Sequence, residues 1–126
     1  MKTGYAVALS MLAGVAIGAA AIEGLHAQAS PKAYVVTEVE VLNQEAQNAY
    51  LPKVADAIKS TGGTFLARGG SIVGFEGEPP KRVTIVVYDS LAKAQASRAS
   101  AEWTALRAER SKAIKARSFA TEGLPN

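Results

Sequence analysis

The chain has no cysteine, and its single histidine and both methionines lie near the N-terminus, as His26, Met1 and Met11. Residues 30–126 therefore contain no Cys, His or Met. This composition excludes disulfides, thiol chemistry, Ser-His-Asp triads, Cys/His zinc sites and haem ligated by His, Cys or Met from that segment. Catalysis there would have to use carboxylates, Tyr, Arg, Lys, hydroxyl groups or backbone amides. We expect neither a metal nor an organic cofactor.

The residues before Ser30 have the pattern of an export leader. Lys2 precedes an apolar run over residues 5–22, and Ala27-Gln28-Ala29 offers a small-residue cleavage site. The pattern predicts a signal peptide over residues 1–29, a domain over residues 30–126, and a periplasmic or secreted location. The alternative is an uncleaved leader, because a run of this length is near what a bilayer crossing needs. Residues 5–22 would then anchor the domain to the membrane.

The charge of the domain argues against a nucleic-acid partner. Residues 1–29 contain one basic and one acidic side chain, so the remainder keeps the formal net charge of +3. A small excess of this kind favours solubility rather than DNA or RNA binding. Basic residues cluster near the end of the last predicted helix, where we expect a solvated face, with binding to anionic lipid headgroups as the alternative. They are Arg107, Arg110, Lys112, Lys115 and Arg117.

Hydrophobic periodicity predicts strands and helices in the order β-α-β-β-β-α-β. Asn43 is the expected N-cap of a helix that ends at about Ser60 before Gly62-Gly63, and Ser90 caps a second helical region that reaches about Lys115, interrupted near residues 97–100. The predicted strands are residues 33–41, 64–68, 71–75, 82–88 and 118–122. This order indicates a ferredoxin-like α+β sandwich with an antiparallel sheet and one extra hairpin around Gly69-Gly70.

The two longest apolar strands carry apolar side chains on both faces. In residues 82–88, one face has Val83, Ile85 and Val87, and the other has Thr84, Val86 and Tyr88. Two helices cover only one face of a single sheet, and a solvated second face would alternate to polar residues. We therefore expect a homodimer in which a second copy covers that face, sheet against sheet.

The sequence resembles the domain of unknown function 1330 family over about residues 33–124. The most specific part of the resemblance is the run of two glycines, an aromatic residue, leucine and then Arg-Gly-Gly. The segments that carry it are residues 33–41, the helix with Tyr50, residues 62–70, Glu76-Gly77, residues 82–88 and residues 100–103.

That family is similar to the dimeric α+β barrel superfamily, in which paired sheets enclose a cavity. Its wider relatives include small monooxygenases of antibiotic biosynthesis, muconolactone isomerase and ethyl-tert-butyl-ether-degradation proteins. The resemblance implies the fold and the dimer. It does not imply an activity, because function does not follow from fold.

Two charged residues are candidate site groups. Arg68 lies at a strand end beside Gly69 and Gly70, which would let the backbone approach an anionic group held by the guanidinium. The alternative is an edge arginine paired with a surface carboxylate. Glu38 lies on the strand face expected to point into the dimer, where a half-apolar cavity would raise its pKa and suit it to proton transfer. The alternative for Glu38 is a surface or interface ion pair.

Three large aromatic residues are further candidates. Tyr50, Tyr88 and Trp103 would line a pocket for an aromatic ligand or, alternatively, form the core. The sequence favours a small-molecule-binding dimer with Glu38, Arg68 and Tyr88 in a cavity between the sheets, and cofactor-independent proton transfer or oxygenation as a candidate activity. The alternative is a non-catalytic envelope module that makes interactions or sequesters a ligand. The sequence does not decide whether the protein is an enzyme.

Overall fold

The computed structural model describes residues 30–125, which form four strands and three helices. The predicted leader, its cleavage site and the anchor alternative lie outside the described residues. No helix within residues 30–125 is long and apolar enough to cross a membrane. The elements are β1 (Ala33–Val41), α1 (Gln44–Ser60), β2 (Thr64–Arg68), β3 (Arg82–Tyr88), α2 (Leu91–Arg98), α3 (Ala101–Ala113) and β4 (Ile114–Glu122).

The four strands form one antiparallel sheet in the order β2-β3-β1-β4. This order is that of a ferredoxin-like α+β fold, so the predicted fold class is confirmed. The long valine-rich strands β1 and β3 take the two central positions, where a strand on each side helps to bury their apolar side chains. The core lies between the helices and one face of the sheet, here called the core face. Its members include Val35, Tyr50, Ile58, Val86, Tyr88 and Trp103.

Each helix begins at the side-chain cap that the sequence indicates. Asn43 Oδ1 accepts a hydrogen bond from the Ala46 amide at 2.9 Å, and Ser90 Oγ accepts one from the Lys93 amide at 3.2 Å. The predicted interruption near residues 97–100 is confirmed, because α2 ends at Arg98 and Ser100 caps the new helix α3. These caps satisfy amide groups that the first turn of a helix leaves without partners.

Two element boundaries differ from the prediction. The last helix ends at Ala113 rather than near Lys115, and β4 begins at Ile114 rather than Ser118. Ile114 has an extended backbone and lies opposite Val41, so the chain enters the sheet as soon as the helix ends. The pairing with β1 along nine residues outweighs the helical propensity of the Lys-rich segment.

The predicted strand over residues 71–75 is not formed, and the extra hairpin expected around Gly69-Gly70 is therefore absent from residues 30–125. These residues belong to the β2–β3 loop, residues 69–81, in which Gly69 has a left-handed backbone with φ of 65°. The amide of Gly69 donates to the Val83 carbonyl at 3.2 Å, and the ladder ends there. Val73 and Phe75 are 74% and 93% exposed. Local β propensity does not make a strand when no partner strand or core lies beside it.

The face of the sheet opposite the helices, here called the open face, is apolar at its centre. Because residues directly opposite each other share a face, the strand register defines it. Val36 lies between Ile85 and Phe119, and Phe119 is 47% exposed. The open face comprises Tyr34, Val36, Glu38, Val83, Ile85, Val87, Arg117 and Phe119.

Candidate functional site

A cavity of about 50 Å³ lies between the core face of the sheet and the helices α1 and α3. A single water molecule needs roughly 10–15 Å³ of such space, so the cavity has room for a few waters or a ligand of that size. It is partly open to solvent. Most of its wall is apolar, and the aliphatic and phenylalanine side chains that line it include Val39, Leu51, Val54, Ile58, Phe65 and Ile114.

Among residues 30–125, four arginines line this cavity together with the apolar wall, and no Asp, Glu or Lys does so. Within the described residues, the ion pairs join Lys53 to Glu109, Lys93 to Asp89 and Arg117 to Glu38. None of them involves an arginine of the cavity. The group, here called the arginine cluster, consists of Arg68, Arg82, Arg98 and Arg110.

Arg98 is half-buried beside Trp103, and its pKa is lowered. Its guanidinium donates to Ser118 Oγ at 2.8 Å and lies over the ring of Trp103, with Cζ 4.0 Å from the ring centroid. Burial lowers the pKa of Arg98 because the charge is desolvated, and the neighbouring Arg110 lowers it further, whereas Tyr88 and Tyr50 oppose the change. Its positive charge is therefore less favourable in this position than in water.

Arg110 approaches the same indole ring from α3. Its Nη1 donates to the hydroxyl of Tyr50 at 2.9 Å, and its Cζ lies 5.4 Å from the ring centroid of Trp103. Tyr50 and Trp103 are 2% and 5% exposed. Two cationic groups thus share one aromatic platform, an arrangement that the ring quadrupole supports.

Two buried polar atoms beside the cavity have no hydrogen-bond partner among the described residues. They are Oε1 of Gln47 and Nε1 of Trp103, and both side chains line the cavity. Gln47 is 2% exposed. A buried polar atom left without a partner costs about 1–3 kcal/mol, so such atoms are rare unless something binds them.

Tyr88 does not belong to the cavity. Its hydroxyl forms a buried hydrogen bond of 2.9 Å with Ser97 Oγ, and Ser97 Oγ also contacts Thr61 Oγ1 at 2.7 Å. Thr61 Oγ1 in turn donates to the Ala57 carbonyl at 2.6 Å. This chain of hydrogen bonds links β3, α2 and the end of α1. The geometry corresponds to the core alternative for Tyr88.

Glu38 and the arginine cluster lie on opposite faces of the sheet. Glu38 is on the open face, as predicted, where it pairs with Arg117 on the neighbouring strand β4. The sheet therefore separates Glu38 from Arg68, Tyr50 and Trp103 within one protomer. The geometry corresponds to the ion-pair alternative for Glu38.

Arg68 lines the cavity, but the two glycines beside it do not. The Arg68 guanidinium lies 4.8 Å from the ring centroid of Phe65, and its Nη2 is 3.4 Å from the Leu51 carbonyl oxygen. Gly69 packs against the guanidinium of Arg82. Gly69, Gly70 and Arg82 line a separate surface depression. The predicted site of Arg68, Gly69 and Gly70 is therefore not one site, because Arg68 lines the cavity and the two glycines lie outside it.

Sequence reasoning missed three residues of the cavity, Arg82, Arg98 and Gln47. It also placed Arg110 on a solvated face. Arg110 is in fact half-buried. It follows Trp103 by seven positions on α3, which puts both on one face of the helix. That spacing was the available signal, because Trp103 was already expected to face the interior.

Comparison with known proteins identifies the family. The sequence matches the domain of unknown function DUF1330 over residues 32–124. The chain belongs to the DUF1330 family. The family expected from the sequence resemblance is thereby confirmed. No curated protein matches this DUF1330 domain.

Solved structures similar to the DUF1330 domain support the same fold. RPA0582, a protein of unknown function from Rhodopseudomonas palustris, is 17% identical with a TM-score of 0.59, over 75% of this chain and 84% of that one. The methylated form of RPA0582 gives a TM-score of 0.62 at 17% identity, over 75% and 82% of the two chains. SnoaB, a cofactor-independent oxygenase from Streptomyces nogalater, is 9% identical with a TM-score of 0.57, over 77% and 97%. At these identities the likeness establishes the fold.

Proposed function

We propose that the DUF1330 domain binds a small organic molecule in the cavity between the core face of the sheet and the helices α1 and α3. The observation that carries this proposal is a pair of buried atoms beside that cavity, Gln47 Oε1 and Trp103 Nε1, which have no hydrogen-bond partner within residues 30–125. An acceptor on the ligand would satisfy Trp103 Nε1, and a donor on the ligand, or on a water molecule bound with it, would satisfy Gln47 Oε1. An apolar wall with few polar groups is typical of small-molecule sites.

Binding is testable through Trp103, because it is the only tryptophan of the chain and lines the cavity. We expect at least one small carboxylate, amide, alcohol or phenol to shift its fluorescence saturably and to raise Tm. Val54→Leu, which adds a methylene to the cavity wall, should weaken that binding severalfold. Val73→Leu makes the same change in the exposed loop and should leave it unchanged. Absence of any saturable response up to millimolar ligand would refute the proposal.

Catalysis, as cofactor-independent oxygenation of the bound ligand, would depend on the binding proposed above. SnoaB is named as a cofactor-independent oxygenase, and it shares the fold at 9% identity. The lining offers hydrogen-bond donors and the phenol of Tyr50, but no carboxylate. We therefore propose ligand binding as the function. Any compound that binds should then be assayed as a substrate by measuring oxygen consumption. The pattern of residues 1–29 supports the further proposal that the domain works outside the cytoplasm.

We also propose that two copies associate through the open face. Support comes from its apolar centre, where Val36, Ile85 and Phe119 lie side by side on three strands. The helices of the described chain pack on the other face, so none of them covers these side chains. Burying such a patch stabilises a dimer by roughly 25 cal/mol per Å² before the cost of association.

Sedimentation equilibrium tests the dimer. We expect a dimer at micromolar concentration and at least tenfold weaker association for Ile85→Glu, because the new charge would lie at the centre of the apolar patch. Ala105→Glu places the same charge on the exposed side of α3 and serves as the control. A wild-type monomer at these concentrations, or equal weakening in both variants, would contradict the proposed interface.

A further inference from the structure

We propose that the ligand of this cavity is a small organic carboxylate, bound by Arg98 and Arg110 beside Trp103. This inference rests on the proposed function and adds the chemical class of the ligand. No such class follows from the family, whose function is unknown.

The first argument is the charge of the cavity. Within residues 30–125, its lining carries four arginines and no acidic side chain, and the ion pairs lie elsewhere. Arginines gathered without carboxylates repel one another. An anion placed among them would remove that repulsion and gain charge-assisted hydrogen bonds.

The second argument is the convergence of two guanidinium groups on one ring. Arg98 and Arg110 contact the Trp103 indole with their Cζ atoms 4.0 Å and 5.4 Å from its centroid. In the described part of the chain, their hydrogen bonds use Nη2 of Arg98 and Nη1 of Arg110. Each guanidinium carries further N–H groups that can donate to a ligand. Trp103 Nε1, which has no partner there, adds one more donor at the same place.

The third argument is the electrostatic state of Arg98. Desolvation and the neighbouring Arg110 both lower its pKa, so the folded protein holds this charge at a cost. A bound anion offsets that cost, and it stabilises the folded state by mass action, increasingly as its concentration exceeds Kd. Carboxylate binding should therefore raise Tm as well as change the emission of Trp103.

Size and shape favour a carboxylate over other anions. A planar carboxylate matches the fork of a guanidinium, whereas the apolar wall formed by Val54, Ile58 and Phe65 suits a short hydrocarbon chain. A volume of about 50 Å³ limits the enclosed part of the ligand to a few heavy atoms. A longer molecule would place its carboxylate end inside and extend through the open side.

The test compares carboxylates with neutral compounds of the same shape. Emission of Trp103 is titrated with acetate, propionate and butyrate, with propionamide and butyramide, and with inorganic phosphate and sulfate, at ionic strength held constant with chloride. We expect propionate or butyrate to bind at least tenfold more tightly than its amide and than either inorganic anion. Equal binding of acid and amide overturns the carboxylate assignment and leaves the proposed function standing. Binding of phosphate or sulfate alone also overturns it, as does the absence of any response from these compounds. The proposed function itself is refuted only if small alcohols and phenols also give no response.

Variants assign the binding to the two arginines. Arg98→Gln and Arg110→Gln should each weaken carboxylate binding about tenfold or more while leaving amide binding within about twofold. Arg107→Gln, an exposed position on the same helix α3 outside this cavity, is the matched control. Arg98→Lys and Arg110→Lys keep the charge but lose the planar guanidinium fork, and each should give intermediate affinity. Equal effects at positions 98, 107 and 110 would overturn the assignment of carboxylate binding to Arg98 and Arg110. The comparison of acids with amides on the wild-type protein tests the ligand class without any variant.

Discussion

Trp103→Ala is expected to lower the free energy of unfolding by about 3–5 kcal/mol, the range for removing a large aromatic side chain from a core. Trp103 is 5% exposed and belongs to the central hydrophobic cluster together with Tyr50, Val54 and Ile114. Its removal would also leave the guanidinium groups of Arg98 and Arg110 without the ring on which they lie. The half-buried charge of Arg98 would then lose a favourable contact that offsets part of its desolvation.

Urea unfolding followed by far-ultraviolet circular dichroism measures this loss, since no other tryptophan could report by fluorescence. The protein concentration must be the same for each variant, because association would add to the apparent stability. Trp103→Phe is the matched control. It retains most of the aromatic volume, and the Nε1 donor it removes has no partner among the described residues, so a clearly smaller loss is expected. A loss below about 1 kcal/mol for Trp103→Ala would mean that the indole is not part of the core.

Most of the secondary structure was predictable because local signals agree with the tertiary environment. The strand β1 is rich in β-branched residues that alternate, and it occupies the centre of the sheet, where both faces need apolar side chains. Asn43 and Ser90 mark helix starts because their side chains accept hydrogen bonds from the first turn. The segment 71–75 has the same kind of local pattern, but the environment beside it is solvent. A propensity acts only when packing supports it.

The location of the candidate site was less predictable, because it depends on strand register. Between Phe65 and Ala67 the pairing of β2 with β3 shifts by one residue. Arg68 therefore lies opposite Thr84, on the core face, whereas an unbroken ladder would place it opposite Val83, on the open face. Nothing in the sequence of β2 specifies this bulge.

The contrast between Glu38 and Arg110 shows which site residues sequence patterns can reach. Strand alternation was sufficient to put Glu38 on the face opposite the helices, and the structure has it there. Helical charge patterns were misleading for Arg110, because a basic run near a helix end usually faces solvent. Only its seven-residue spacing from Trp103 indicates an inward direction. Long side chains such as Arg98 and Arg110 also place their charge far from their own backbone, so the backbone pattern does not define what they contact.

The second large effect is expected at Gly63, where the end of α1 meets the sheet. A Cβ atom at this position would lie 2.7 Å from Ile58 Cγ2, 2.8 Å from Val86 Cγ1 and 2.9 Å from Tyr88 Cζ. All three distances are shorter than side-chain packing allows, and the ring of Tyr88 is held in place by its hydrogen bond to Ser97. The Gly63 amide also donates to the Ile58 carbonyl at 2.9 Å, which limits movement of the backbone.

Gly63→Ala should therefore lower the free energy of unfolding by about 1–3 kcal/mol, the usual cost of overpacking a core. Gly70→Ala is the matched control, since a Cβ atom there meets nothing within 4 Å and its φ angle is not positive. Its stability should change by less than about 0.5 kcal/mol, or rise slightly because alanine reduces the freedom of the unfolded chain. Equal changes at the two positions in urea unfolding would show that the close approach of α1 to β3 does not limit the side chain at position 63. A loss confined to Gly63→Ala would establish that glycine is required there by packing, because its φ angle, unlike that of Gly62, lies outside the left-handed region.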